Sequence, residues 1–305
     1  MSEQRDRLTD HSERRLGLFL GIAAYASWGV VPLYWHQLEG VDSVEILACR
    51  ALFGLVTFVG LAVAMGQVRE ILAVLRNRRA VVVLAAAAAL LALNWGLFIH
   101  ATLGNHLLQA SLGYFINPLL SVALGVVFLR ERLRRLQLVA IVLAGVGVVW
   151  LALGAGPPWI ALTLATSFAL YGLLRKTAPA PALAGSTVET AMMAPFALAY
   201  LIYIAGDPAR GAFAHADTRT HLLLAGTGLI TALPLLWFTA AARRLPLAVI
   251  GFLQYLAPTG QFLTAVLVYD EPLASRKLLA FAFIWAALAI FSIDLLRITR
   301  ARTGR

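Results

Sequence analysis

Apolar runs of roughly twenty residues, each closed by a short polar connection, follow one another along this chain from residue 16 to residue 296. A helix of about 20 apolar residues is what the hydrocarbon core of a bilayer demands. The runs cover 16–36, 44–65, 80–101, 106–129, 136–153, 158–175, 187–205, 221–242, 246–268 and 277–296. They predict an all-α polytopic membrane protein with ten transmembrane helices. Composition agrees: 61% of residues are hydrophobic and 13% charged, with a mean hydropathy of +0.82, against roughly 45–50% apolar residues in soluble domains. The connection from Thr102 to Asn105 is short enough to make the third and fourth helices an antiparallel hairpin. The first fifteen residues are hydrophilic and lead into an apolar run without a clean small-residue cleavage site, so the first helix is expected to stay.

Charge placement supplies the orientation. Lys and Arg cluster in alternate connections, at 5–15, 69–79 and 130–135, and are missing from those between. The positive-inside rule then puts both termini in the cytoplasm, with twenty of the 25 basic residues on that side and four outside. Arg50 is left over. The net charge of +10 is spread over small groups with no aromatic interleaving, so no nucleic-acid partner is expected. The single cysteine, Cys49, allows no disulfide within the chain and no Cys/His metal cluster. No cofactor is expected.

Shifting the chain by 140 residues aligns 91–133 with 231–273 without a gap, and nine of 43 positions are identical, among them Pro118 with Pro258 and Glu131 with Glu271. An offset of five spans, an odd number, turns the second copy upside down. Basic residues follow that inversion: Arg130, Arg132, Arg134 and Arg135 face Asp270, Pro272, Ala274 and Ser275, whereas Leu103 and Gly104 face Arg243 and Arg244. The expected organisation is a cytoplasmic tail over 1–15, a five-helix repeat over 16–153, an inverted repeat over 158–296, and a tail over 297–305. Inverted repeats of this kind typify secondary transporters, whose substrate site lies at the midplane between the halves.

Several residues are candidates for that site. Ser111, Tyr114, Pro118, Ser121 and Gly125 share one face of the fourth span, and Gly251, Gln254, Pro258, Gln261 and Ala265 repeat the arrangement in the ninth. Such a stripe serves either close helix packing or a wet cavity. Tyr114, Asn117, Gln254 and the adjacent Tyr255 are taken as substrate contacts, and Pro118 and Pro258 as hinges, since an intramembrane proline frees a carbonyl and kinks the helix. Asn94 and Trp95 lie deep in the third span, where an amide needs a partner: a ligand or a neighbouring helix. Among the tryptophans, Trp35, Trp150 and Trp159 lie near span ends and suit interfacial anchoring, whereas Trp28 is deeper and is the candidate for stacking on a ligand.

Glu45 and Arg50 interrupt the second span. Arg50 lies about 9 Å inward from Val44 at 1.5 Å per residue, far enough that its charge needs a reason. Five positions separate the two, about 140° around the helix, so they form no i, i+4 pair. Either Glu45 sits at the headgroups with Arg50 snorkelling past it, or one or both face the cavity, Glu45 as a proton carrier and Arg50 as a contact for an anionic or strongly polar group. Glu189, placed in the first turn of the seventh span, is a further acid of this kind.

EILACRALFG in span two, NWGLFIHA in span three, ASLGYFINPLLSVALGVVFLRERL in span four and GFLQYLAPTGQFLTAVLVYDEPL in span nine closely resemble the RarD group of EamA-type permeases, in the drug/metabolite transporter superfamily. The resemblance covers all ten spans. It implies a 5+5 inverted repeat, a bacterial inner-membrane location, and a central cavity formed mainly by spans one, three, four, six, eight and nine. Members of the group are named chloramphenicol-sensitive or chloramphenicol-resistance permeases. Where they often carry His in the span-two motif, this chain has Cys49.

The function expected is secondary transport, in the export direction, of a small metabolite or drug, with a proton as the candidate coupling partner and the bilayer as the other. Neither a Walker A pattern nor HExxH, GxSxG or clustered carboxylates are present. An enzyme is therefore not expected. A nonenzymatic membrane assembly or interaction protein is the alternative.

Overall fold

In the computed structural model, residues 2–38, 40–103, 107–153, 159–206, 211, 213, 217–268 and 275–303 are described. They contain no β-strand. The helices are α1 (Ser2–Val30), α2 (Pro32–Trp35), α3 (Ser43–Ala64), α4 (Val68–Arg76), α5 (Arg78–Leu103), α6 (Leu107–Leu129), α7 (Arg135–Ala152), α8 (Trp159–Thr177), α9 (Ala182–Ala205), α10 (Thr218–Arg244), α11 (Leu247–Gln254), α12 (Leu256–Leu267) and α13 (Ser275–Thr303). By length and apolarity, seven described segments suffice to cross a membrane, the longest being Ser12–Leu38 and Thr218–Arg244, and Leu278–Asp294 is a shorter apolar helix. Exposed Phe19, Val56, Val127, Phe196 and Ile202 give the bundle an apolar outer surface, as a chain solvated by lipid requires.

Each of the ten apolar runs is helical, with local departures. α9 begins at Ala182 rather than 187, because Pro181 is pre-set for the position before the first helical residue and the small residues after it raise no obstacle. Glu189 consequently lies two turns into the helix. The basic connection after span two contains an additional helix, α4, which lays Ile71 and Val74 against Ala180, Ala184 and Val188. The ninth run is broken into α11 and α12 at Tyr255. Pro258 explains the break: its ring collides with the carbonyl of Gln254 and it has no N–H to offer. Pro118 in α6 leaves its helix continuous. The tight Thr102–Asn105 turn, and Asp270, Glu271, Pro272 and Ala274, fall outside the described residues in whole or part.

Helix pairing has an internal order. α10 packs on α1 and α3, α8 packs on α5 and α6, α9 packs on α3 and α5, and α1 also packs on α12. α6 meets α11, and α7 meets α13. Exchanging each helix for the one five spans later returns the same set of pairs. Directions also match under the exchange. α1 runs antiparallel to α10, with Gly17 beside Arg244 and Tyr25 beside Phe238. The image pair, α8 for α1 and α5 for α10, is likewise antiparallel, with Ala101 beside Ile160 and Asn94 bonded to Leu164 and Ser167.

The closest approaches are made by glycine. At Gly228 of α10 an added Cβ would strike the backbone of Phe53 in α3, and at Gly251 of α11 it would lie 2.7 Å from the carbonyl oxygen of Pro118. α11 thus rests on α6 with backbone against backbone, antiparallel, from Tyr255 beside Phe115 to Leu247 beside Gly125. Past the end of α6, Arg130 adopts φ 54°, and the chain turns so that the Glu131 carboxylate accepts the N–H groups of Leu247 (2.6 Å) and Ala248 (3.0 Å). These are donors that the first turn of α11 cannot satisfy internally.

Candidate substrate site

Arg50 leaves α3 toward the bundle interior and not toward the headgroups. Its guanidinium carbon lies 5.0 Å from the ring centroid of Trp35 and 4.8 Å from that of Trp95, so two indoles contact the cation. Arg50 Nε donates to Thr231 Oγ1 of α10 at 3.0 Å, and Tyr114 of α6 is the neighbouring titratable group. Among the described residues no carboxylate pairs with it. The acids nearest in sequence are occupied: Asp42 accepts the N–H groups of Val44 and Glu45 and the hydroxyl of Tyr200, and Glu45 accepts the N–H of Phe213 at 2.6 Å. Placing a bare guanidinium in a bilayer costs about 2.5–3.5 kcal/mol on insertion scales. Two desolvated cation–π contacts at about 1–2 kcal/mol each offset that cost. The cation is held, but no carboxylate among the described residues neutralises it.

The expectation that Trp35 anchors at the interface gives way to this role as one wall of the Arg50 site. The short α2 helix and the 3-10 turn His36–Leu38 carry it back over the bundle. Arg50 and Glu45 part company: Glu45 is fully buried and ties the segment following α9 to the start of α3.

Two turns along the same face of α10 lies a cluster of rings. Trp28 meets Tyr25 edge-on at 5.3 Å, Phe168 at 6.0 Å and Phe238 at 5.9 Å, and Phe238 stacks on Tyr171 at 5.9 Å and 17°. Trp28 therefore lies in an aromatic nest drawn from α1, α8 and α10. Tyr114 meets Phe98 at 5.8 Å. Where α6 meets α11, Gln254 Nε2 donates to Ser121 Oγ at 3.3 Å, which donates to Asn117 Oδ1 at 3.3 Å. Gln254 Oε1 and the hydroxyl of Tyr25 are buried without a hydrogen-bond partner among the described residues. Tyr255 donates to the carbonyl of Phe115 at 3.3 Å. Asn94 is the candidate most fully absorbed by packing: its amide nitrogen donates to Leu164 O at 2.8 Å and Ser167 Oγ at 3.0 Å. Trp28, Trp95, Tyr114, Trp35, Phe168 and Arg50 are all half-buried, whereas Asn94, Asn117, Gln254 and Tyr255 are buried. The side chains of Ser111 and Ala265 lie outside the description.

At the opposite end of α8, Arg175 and Glu189 form a fully buried ion pair at 3.5 Å. Tyr171 donates to the Glu189 carboxylate at 3.4 Å, and Arg175 donates to Ala182 O at 3.0 Å. Residue reading placed Arg175 among the topology signals. Lys176, its neighbour, reaches the carbonyls of Leu245 and Ala242 in the same way.

A polytopic helical bundle that holds Arg50 among aromatic rings, with no carboxylate pairing it among the described residues, has the form of a membrane transporter. The profile of the EamA-like transporter family matches residues 15–153. Protein RarD of Streptomyces exfoliatus is 45% identical over 96% of this chain and 93% of its own length. An uncharacterized transporter of Vibrio cholerae is 44% identical over 93% of this chain and 94% of its own, and the chloramphenicol-sensitive protein RarD of Pseudomonas aeruginosa is 36% identical over 95% and 97%. A solved crystal structure with 18% identity shares the fold at a TM-score of 0.69, over 91% of this chain and 97% of that one. The chain belongs to the RarD group of EamA-like transporters, in the drug/metabolite transporter superfamily. It is a multi-pass membrane transporter, and the family is not one of enzymes.

Proposed function

We propose that the chain is a secondary carrier of the bacterial inner membrane that exports a small metabolite or drug by alternating access. Ten spans form two inverted five-helix repeats, over 16–153 and 158–296, with both termini in the cytoplasm. The observation that carries this reading is the helix-pair pattern, which maps onto itself when the halves are exchanged. Two halves built alike and threaded oppositely give two related conformations around one site. The site lies between Arg50, Trp95 and Tyr114 at one level and Trp28 at the other, with Asn117 and Gln254 where α6 crosses α11. Pro118 and Pro258 supply the bending points, and a proton supplies the coupling. Chloramphenicol, taken from the name of the Pseudomonas relative, is one candidate substrate.

The test is solute movement in liposomes containing the purified chain, driven by an imposed proton gradient. Accumulation that collapses on adding a protonophore is expected. Should no solute of a broad panel move while one fixed protein partner co-purifies, the carrier reading fails in favour of an assembly role.

A further inference from the structure

The Arg50 cradle has a shape as well as a charge. The guanidinium carbon lies within 5.0 Å of the ring centroids of both Trp35 and Trp95, and Nε is committed to Thr231. The two Nη groups, which share the in-plane edge, have no acceptor among the described residues. That edge is the one that meets a carboxylate with two parallel N–H···O bonds. A single cation also sets the charge of its partner: a monoanion leaves the site neutral, whereas a dianion would leave a net charge inside the membrane, where charge is costly. Phe238 stands on the same face of α10 as Thr231, about 10 Å away at 1.5 Å per residue, and carries the rings of Trp28, Phe168 and Tyr171 around it.

We propose that Arg50, held between Trp35 and Trp95, is the docking point for the carboxylate of an amphipathic organic monoanion whose apolar body lies along α10 toward Trp28, Phe168 and Phe238. This rests on the reading of the chain as a carrier with an internal site, and it narrows the substrate class of that site. Uncharged molecules of the same shape lack the group that Arg50 selects, so on this inference neutral chloramphenicol is not a ligand of the Arg50 site.

The probes are phenylalkanoic acids of increasing chain length and their primary amides, added to the purified full-length chain in detergent. The acids are expected to raise the unfolding temperature, with an optimum in chain length, and the amides are not. Arg50→Gln should weaken binding of the best acid about ten- to hundredfold, the loss of charge-assisted hydrogen bonds, and Arg50→Lys should fall between, keeping the charge without the fork. If Arg50→Gln does not fold, protection of Arg50 in the wild-type chain from phenylglyoxal, by the acid and not by the amide, takes its place. Equal binding of acid and amide, no binding by any acid, or an unchanged affinity in Arg50→Gln overturns the proposal. The two readings fail separately. Liposomes that move neutral or cationic solutes equally well with Arg50→Gln sink the anion site and spare the carrier; acids that bind at Arg50 but never cross sink the carrier and spare the site.

Discussion

Arg175 and Glu189 are fully buried, and among the described residues the ion pair each makes is with the other. Removing one partner leaves the other stranded in a place water does not reach, at a cost of about 3–5 kcal/mol, whereas replacing both with apolar residues of similar volume comes close to neutral. Arg175→Met and Glu189→Leu should therefore each lower the unfolding temperature sharply in detergent, and the double variant should recover most of the loss. A double variant no more stable than its parents would mean that the pair has no direct coupling. The pair was half legible. Glu189 stood out as an acid in an apolar run, but Arg175 looked like one more loop cation, because a start at residue 187 separates the two and a start at Ala182 packs them together. Arg50 was legible as a misfit for the same reason. Its partners were not: Thr231 is 181 positions away, and Trp35 arrives through a local fold of the chain after α1 that hydropathy does not report.

Among the elements, the broken ninth span carries the clearest sequence signal. Pro258→Ala restores the missing N–H and removes the ring that displaces the Gln254 carbonyl, so α11 and α12 should fuse. Hydrogen exchange would then slow at Tyr255 and its neighbours, and liposome transport would slow with it if the break serves as a bending point. Unchanged exchange would place the cause of the break elsewhere. Gly228 tests a contact with no such signal. An added methyl meets the backbone of Phe53, which cannot turn aside as a side chain would, so Gly228→Ala should cost about 1–3 kcal/mol of stability through forced separation of α10 from α3. Gly60, with open space around its position, provides the control, because Gly60→Ala should raise helix propensity without a clash. Nothing in the sequence distinguishes these two glycines. Periodicity tells which residues share a face, but how closely two backbones approach depends on the partner helix.

At the scale of the whole molecule, the prediction concerns threading. With Cys49 replaced by serine, single cysteines at Met65 and Thr218, both exposed, should report opposite sides. A membrane-impermeant maleimide applied to intact cells is expected to label Thr218→Cys and to reach Met65→Cys only after permeabilisation. The reverse pattern, or labelling of both from one side, contradicts the orientation drawn from Lys and Arg. The helical class and the position of each apolar helix were legible because lipid imposes a length on every span. The interior was less so, since the same Ser, Gly and Ala serve packing and cavities alike. The joint between the end of α6 and the start of α11 has a directional consequence. Parting the end of α6 from the start of α11 uncovers the Glu131 carboxylate and the amides of Leu247 and Ala248 together. Hydrocarbon offers none of the three a replacement. Water offers all of them one, so this seam yields only on a face that is already wet.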